Sequence, residues 1–246
     1  MSKRNHALYE QKYQAFYDAG VDFVSATGYD DEYRQFLSLH PSRGRLIECG
    51  CGEGFACAMA ASLGYEVLGV DSAPSAIAKA IETHSGCSPS LSYAIADITE
   101  LNEVASESFD VLADIGCLHM IGDQQDAERY LSHAFRVLKA NGQAYFQNRV
   151  SPAEAKRWFP KMSAWIDEWY QRCDMKPAFE SEEFQVGGRT VIVDVPKHLG
   201  AIFRDAAEYV QLLTGAGFCV ERLHVKTPGV NSPFEAVIIA SKKDVS

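Results

Sequence analysis

No uninterrupted apolar run in this chain approaches the roughly 18 residues that a membrane-spanning helix needs, although 47% of its 246 residues are hydrophobic. Met1-Ser2-Lys3-Arg4 leads into polar residues rather than the apolar core of a signal peptide. A soluble, cytoplasmic protein without membrane contact is therefore expected. Low-complexity tracts and internal repeats are missing too, which leaves no reason to expect an unfolded or solenoid portion. Basic residues are scarce: 23 Lys and Arg stand against 33 Asp and Glu, a net charge of −10. The most basic stretch, Lys156-Arg157 with Lys161, is thin and mixed with aromatics. Nucleic-acid binding draws most of its affinity from cations on phosphates, so no nucleic-acid partner is expected. The seven cysteines include no pair of C-x-x-C units, which points to reduced thiols rather than a disulfide or zinc framework. Cys49 and Cys51 form a C-x-C pair, but flanking glycines and the lack of a nearby His favour small turn residues over metal ligands. No metal is expected.

What is present centres on Glu48 to Gly54, E-C-G-C-G-E-G, between the apolar start Leu46-Ile47 and the helix-like run Phe55 to Ala61. Gly50, Gly52 and Gly54 allow a tight turn with no Cβ between backbone and ligand. A second strand-like run, Tyr65 to Val70, ends in Asp71, placed to accept hydrogen bonds from ribose hydroxyls. In a dinucleotide fingerprint the third glycine follows the second by three residues. Phe55 occupies that place here, and the carboxylate of Glu48 would repel a pyrophosphate while suiting a cationic ligand or an amino group.

This arrangement resembles motif I of the class I S-adenosylmethionine-dependent methyltransferases. The resemblance continues through Asp97-Ile98 after a third strand, through F-D and L-H around Phe109-Asp110 and Leu118-His119, and through R-V-L-K-x-x-G from Arg136 to Gly142, covering roughly Leu46 to Asn148. It implies S-adenosylmethionine as cofactor. Glu48, Gly50, Cys51, Gly52 and Gly54 would hold its methionine end, and Asp71 with Ser72 its ribose. Asp97 would take the adenine amino group and Ile98 the ring, with Asp114 near the amino acid end. For Asp97 a capping role is the structural alternative, and for Asp114 a buried capping role or acceptor contact.

Alternating strand and helix signals predict a parallel, doubly wound sheet. The expected strands are 45–49, 66–70, 91–96, 109–114, 143–147, 219–225 and 236–241, with helices over 55–63, 74–83, 126–138 and 205–214. Together with the resemblance this gives a Rossmann-like fold with seven mostly parallel strands and an antiparallel last strand. A single domain over 1–246 is expected: a helical lid (1–44), a cofactor-binding core (45–149), a cap inserted after strand five (150–198), and a final helix and strand pair (199–246). The lid carries aromatics at helical spacing, Tyr9, Tyr13, Phe16, Tyr17, Tyr29, Tyr33 and Phe36, punctuated by Gly20 and Gly28. They either pack on the sheet or close over the cofactor, Tyr9 and Tyr13 foremost. The cap reads as one aromatic-rich helix over 152–172 followed by two strands about Gly187-Gly188.

Methyl transfer from a sulfonium is an in-line displacement of an already activated group, so alignment and exclusion of water come first. An alcohol or protonated amine as acceptor needs a base as well. His119 is placed for that role or for packing in the loop after strand four. His198, Arg189 and Arg204 could meet a polar acceptor. The expected partner is a small-molecule acceptor, methylated on O, N, S or C, with the protein a monomer or homodimer. Two other readings remain from the residues alone: a non-catalytic sensor or partner subunit that keeps the cofactor pocket, and an NAD-dependent oxidoreductase.

Overall fold

Parallel strands covered on both faces carry apolar centres, and short buried apolar stretches sit in β1 (Arg45–Cys49), β2 (Glu66–Asp71) and β4 (Phe109–Ile115), as in the 144–146 segment of the longer, more polar β5 (Leu138–Arg149). Together with β3 (Leu91–Ile95), β8 (Cys219–Lys226) and β9 (Glu235–Ser241) they form one seven-stranded sheet in the order β3-β2-β1-β4-β5-β9-β8. The first five run parallel, whereas β9 is antiparallel to both β5 and β8. The computed structural model describes residues 3–21, 31–40, 43–84, 86–174, 179–196, 201–226 and 234–243. Gly28, Tyr29 and His198 lie outside them. Among the described residues no helix is long and apolar enough to cross a membrane.

Alternate residues of each strand feed two separate cores. Leu46, Val67, Val111 and Tyr145 face α2 (Asp31–Leu39) and α3 (Phe55–Ser62), with Ile77 of α4 (Pro74–His84) completing the layer. Ile47, Leu112, Ala144 and Phe146 face the opposite way. They meet α5 (Gln124–Val137) and α8 (Ala206–Gly215), while Ala155, Ile166 and Tyr170 come from the cap helices α6 (Pro152–Trp158) and α7 (Ser163–Asp174). Polar ties pin the amino-terminal edge of the sheet. Asp110 accepts from Arg45 N and from Lys139 Nζ, and these bonds outweigh partial burial to hold its carboxyl below its ordinary range.

Two expectations change. The cap helix is broken into α6 and α7 around a short 3₁₀ turn that starts at Pro160, since proline has no N–H to continue the ladder. Strand five, expected over 143–147, starts at Leu138, which pairs with Phe109, and residues 139–142 form a kink inside it. The register shifts there, and Asn141 takes a φ of 61°. The Gly187-Gly188 hairpin forms as β6 (Phe179–Val186) and β7 (Arg189–Pro196), a separate two-stranded sheet. It packs on α1 (Lys3–Asp18): Phe16 meets Phe184 edge to face at 5.1 Å, with Val193 in the same cluster. Lid and hairpin thus form one body.

Candidate active site

The carboxyl ends of β1 and β4 meet where the strand order reverses, the place where open α/β sheets bind ligands. Gly50, Gly52 and Gly54 hold the turn after β1 with φ of 73°, 51° and 77°, left-handed values that L side chains rarely adopt. Their surroundings differ. A Cβ on Gly50 would come within 2.4 Å of Cys117 Sγ, and one on Gly54 within 2.3 Å of the Tyr93 hydroxyl, so both are fitted against the protein itself rather than bared for a ligand. Only Gly52 faces the lid, where a Cβ would lie 2.8 Å from the Tyr13 hydroxyl.

Asp71 is clamped beside this turn. Gly52 N donates to Oδ2 at 2.9 Å and Ala73 N to Oδ1 at 2.9 Å, while burial raises its pKa against the pull of these bonds and of the Ser72 amide. A carboxylate can accept about four hydrogen bonds, so acceptor capacity remains on Asp71 for a ligand hydroxyl. Tyr13 is buried against Ala73 and Ala76, and stacks on Tyr17 at 6.0 Å. The Tyr9 phenol is pushed up by burial and feels Cys117, Arg149 and Asp71, which places it over the same crevice. A turn kept open by Gly52, a carboxylate acceptor for a ligand hydroxyl and overlying tyrosines fit a nucleoside with an amino acid tail.

Other expected contacts stand further back. Glu48 is buried, accepts from Cys57 Sγ at 2.9 Å, and has its pKa pushed up to about 8 by burial. Asp97 caps the short turn at Ile98, its Oδ1 accepting from Thr99 N and Oγ1, while His6 of the lid lies 3.3 Å from Oδ2. Ile98 is buried beside it. Cys49 packs in one core layer and Cys51 in the other. Ser72 is half-buried at the tip of β2.

Of the roles read for Asp114, contact with the cofactor's amino acid end or the acceptor and a buried capping role, its surroundings match the second: it is fully buried and its oxygens are engaged by Cys117 N, Leu118 N, Tyr130 Oη and Asn148 Nδ2. It acts through Asn148. Oδ1 of that amide accepts from His119 N at 3.0 Å, which fixes which end of the amide is oxygen. The same oxygen lies 3.0 Å from His119 Nδ1, so Nδ1 carries the proton and Nε2 is the basic nitrogen of the neutral ring. The imidazole stands at the end of β4, beside the ring of Phe203 at 6.2 Å.

Asn148, Tyr130 and Phe203 were missed because no motif joins them; they meet His119 only after β4, β5 and the return from the cap come together. The polar character of Asn148 at the end of an apolar strand was the one available signal. Arg189 is exposed on the hairpin, whereas Arg204 is buried next to the site.

Comparison with known proteins agrees with this geometry. A family model described as a methyltransferase domain matches residues 47–146. An uncharacterized methyltransferase of Schizosaccharomyces pombe is 36% identical over 101 residues, covering 40% of this chain and 67% of the relative. A ubiquinone biosynthesis O-methyltransferase of Pseudomonas fluorescens is 32% identical over 104 residues, 42% of this chain and 43% of its own length. In fold, the chain is similar to the Burkholderia thailandensis 1,6-didemethyltoxoflavin-N1-methyltransferase, with a TM-score of 0.66 and 17% identity over 99% of this chain and 91% of that one. The chain belongs to the class I S-adenosylmethionine-dependent methyltransferases.

Proposed function

We propose that the chain methylates an O, N, S or C atom of a small molecule, with His119 as the base when the acceptor atom needs deprotonation. S-adenosylmethionine supplies, when bound, a methyl group activated by the sulfonium charge. The turn of Gly50, Cys51, Gly52 and Gly54, with Glu48 behind it, would hold the methionine end. Asp71 and Ser72 would hold the ribose, Asp97 and Ile98 the adenine, and Tyr13 would close over the turn. Exchanging its His6 contact for an amino group would free Asp97 Oδ2 for that role.

The observation that carries the base assignment is the fixed tautomer. Asp114 orients Asn148, Asn148 Oδ1 accepts a hydrogen bond from Nδ1–H, and the basic lone pair is thereby placed on Nε2. Burial of the ring keeps bulk water away from the attacking atom. The small-molecule reading is supported by two similar proteins named for ubiquinone biosynthesis and for a toxoflavin precursor. An acidic chain also has little to offer a nucleic-acid substrate.

Calorimetric titration with S-adenosylhomocysteine and NAD tests the cofactor site. The first is expected to bind and the second not, and Asp71→Asn, whose amide would turn a donor toward Gly52 N or Ala73 N, to weaken binding by about 10–100-fold, the range of a charge-assisted pair. Unchanged affinity in Asp71→Asn would remove that residue from the site.

A further inference from the structure

One cation beside His119 lacks an acid among the described residues. Arg204 is 3% exposed, and neither Nη1 nor Nη2 has a hydrogen-bond partner among the described residues. Its backbone position is firmly set: it bridges Val150 just beyond the end of β5, and its carbonyl accepts from Ser151 N. Two residues earlier, Ile202 N donates to His119 O, and Phe203 lies between the rings of His119 and Tyr170, at 6.2 and 5.9 Å. The guanidinium is close enough to Tyr209 to draw on its phenol, and the Tyr209 hydroxyl itself donates to Arg149 O.

Among the described residues, the acids on the segments that meet here are committed elsewhere. Asp114 is engaged by its four donors, Asp205 caps α8 and binds the Ser151 hydroxyl, and Glu154 accepts from Trp158 Nε1. A guanidinium cannot shed its charge in a protein, and burying one without an anion is strongly unfavourable. An anion from outside resolves this, and the planar fork suits a carboxylate that can accept two parallel bonds. The surrounding rings, Phe203 and Tyr170 with Trp169 packed on Tyr170, suit an aromatic body.

We propose that Arg204 binds the carboxylate of an aromatic acid, making aromatic carboxylates the acceptor class of this enzyme. The inference rests on the methyl-transfer site described under Proposed function. Both terminal nitrogens are closed to solvent, so the acid enters only with movement of the cap.

The test measures binding of two matched pairs, benzoate with benzamide and phenylacetate with phenylacetamide, by calorimetry with and without saturating S-adenosylhomocysteine. Wild type is compared with Arg204→Met and Arg204→Lys. Wild type should prefer each acid over its amide by about 10-fold or more, the worth of a charge-assisted pair. Arg204→Met should lose that preference, keep its affinity for S-adenosylhomocysteine, and melt above wild type in the absence of acid, because an unpaired buried charge has gone. A purely structural arginine would instead give a less stable variant.

Should Arg204→Met fail to fold, Arg204→Lys decides, with a reduced acid preference supporting the proposal and an undiminished one overturning it. No acid preference in wild type on either pair, with S-adenosylhomocysteine bound, overturns the inference and leaves the cofactor reading intact. An acid preference without S-adenosylhomocysteine binding would overturn the cofactor reading, and with it the assignment of the acid as methyl acceptor, leaving only a carboxylate site at Arg204.

Discussion

The turn after β1 and the pocket beside His119 lie at the same end of one sheet, yet they are built differently. Around the turn, the ends of two adjacent strands do the work: Gly50 N and Cys51 N both donate to Val70 O, Gly54 N donates to Cys51 O, and Gly52 N reaches Asp71 at the tip of β2. Beside His119 the parts come from β4, β5, α5 and the return from the cap, and the guanidinium of Arg204 lacks an acid among the described residues. A ligand common to a whole family can be met by a short stretch of backbone with its hydrogen bonds already satisfied. A ligand particular to one enzyme is met by side chains gathered from far apart.

That contrast is broken most forcefully at Gly50. In Gly50→Ala the methyl group would fall 2.4 Å from Cys117 Sγ at a φ of 73°. Strain of this kind costs on the order of 1–3 kcal/mol before the collision is added. The expected outcome is a melting temperature lowered by several degrees and S-adenosylhomocysteine affinity reduced at least about 100-fold, read by calorimetry and thermal unfolding. Near wild-type binding would mean that the turn is not as rigidly fitted as its contacts indicate.

Asn148→Leu probes the assembled half. Without the amide oxygen, His119 loses the partner that holds its proton on Nδ1. Nitrogen-15 spectra of the ring should pass from one tautomer to a mixture, and turnover should fall by about 10²-fold, the usual worth of a positioned base. S-adenosylhomocysteine affinity should stay within about two-fold, under 0.5 kcal/mol. A cofactor affinity that falls in step would show that the two halves are not separable.

The smallest effect is expected at Glu48. Burial raises its pKa from 4.5 to about 8, so the folded protein holds this proton more tightly than the unfolded chain does. The stabilising contribution is therefore complete below about pH 4.5 and is lost as the pH rises through about 8. Asp71 and Asp114, also raised by burial, act with the same sign. The ligand-free protein should melt lower at pH 8 than at pH 5.5, and Glu48→Gln, which still offers Cys57 an acceptor oxygen, should show a shallower decline. An identical slope in wild type and variant would exclude Glu48 as a source of it.

Legibility in the sequence follows the same division. β1, α3 and β2 were readable because glycine spacing, apolar runs and Asp71 report local geometry, and the observed strand β1 coincides with the expected 45–49. The kink at Asn141 and the break at Pro160 shifted boundaries without altering the topology. For Asp114 the sequence left two roles open, because a carboxylate at a strand end looks alike whether it faces a ligand or four protein donors. Asn148 and Phe203 could not be read at all, since their role exists only once β5 lies next to β4 and the chain has come back from the cap.

The single bridge between Val150 and Arg204 has a consequence for how such enzymes diversify. The chain leaves the sheet and rejoins it at two residues that are hydrogen-bonded neighbours. An excursion with its feet together can lengthen, shorten or change composition while the frame beneath stays still, as inserted segments do wherever entry and exit coincide. The cap is in that sense an exchangeable cassette, and Arg204, standing at its exit, is the point where a new cassette would be brought up against an unaltered His119.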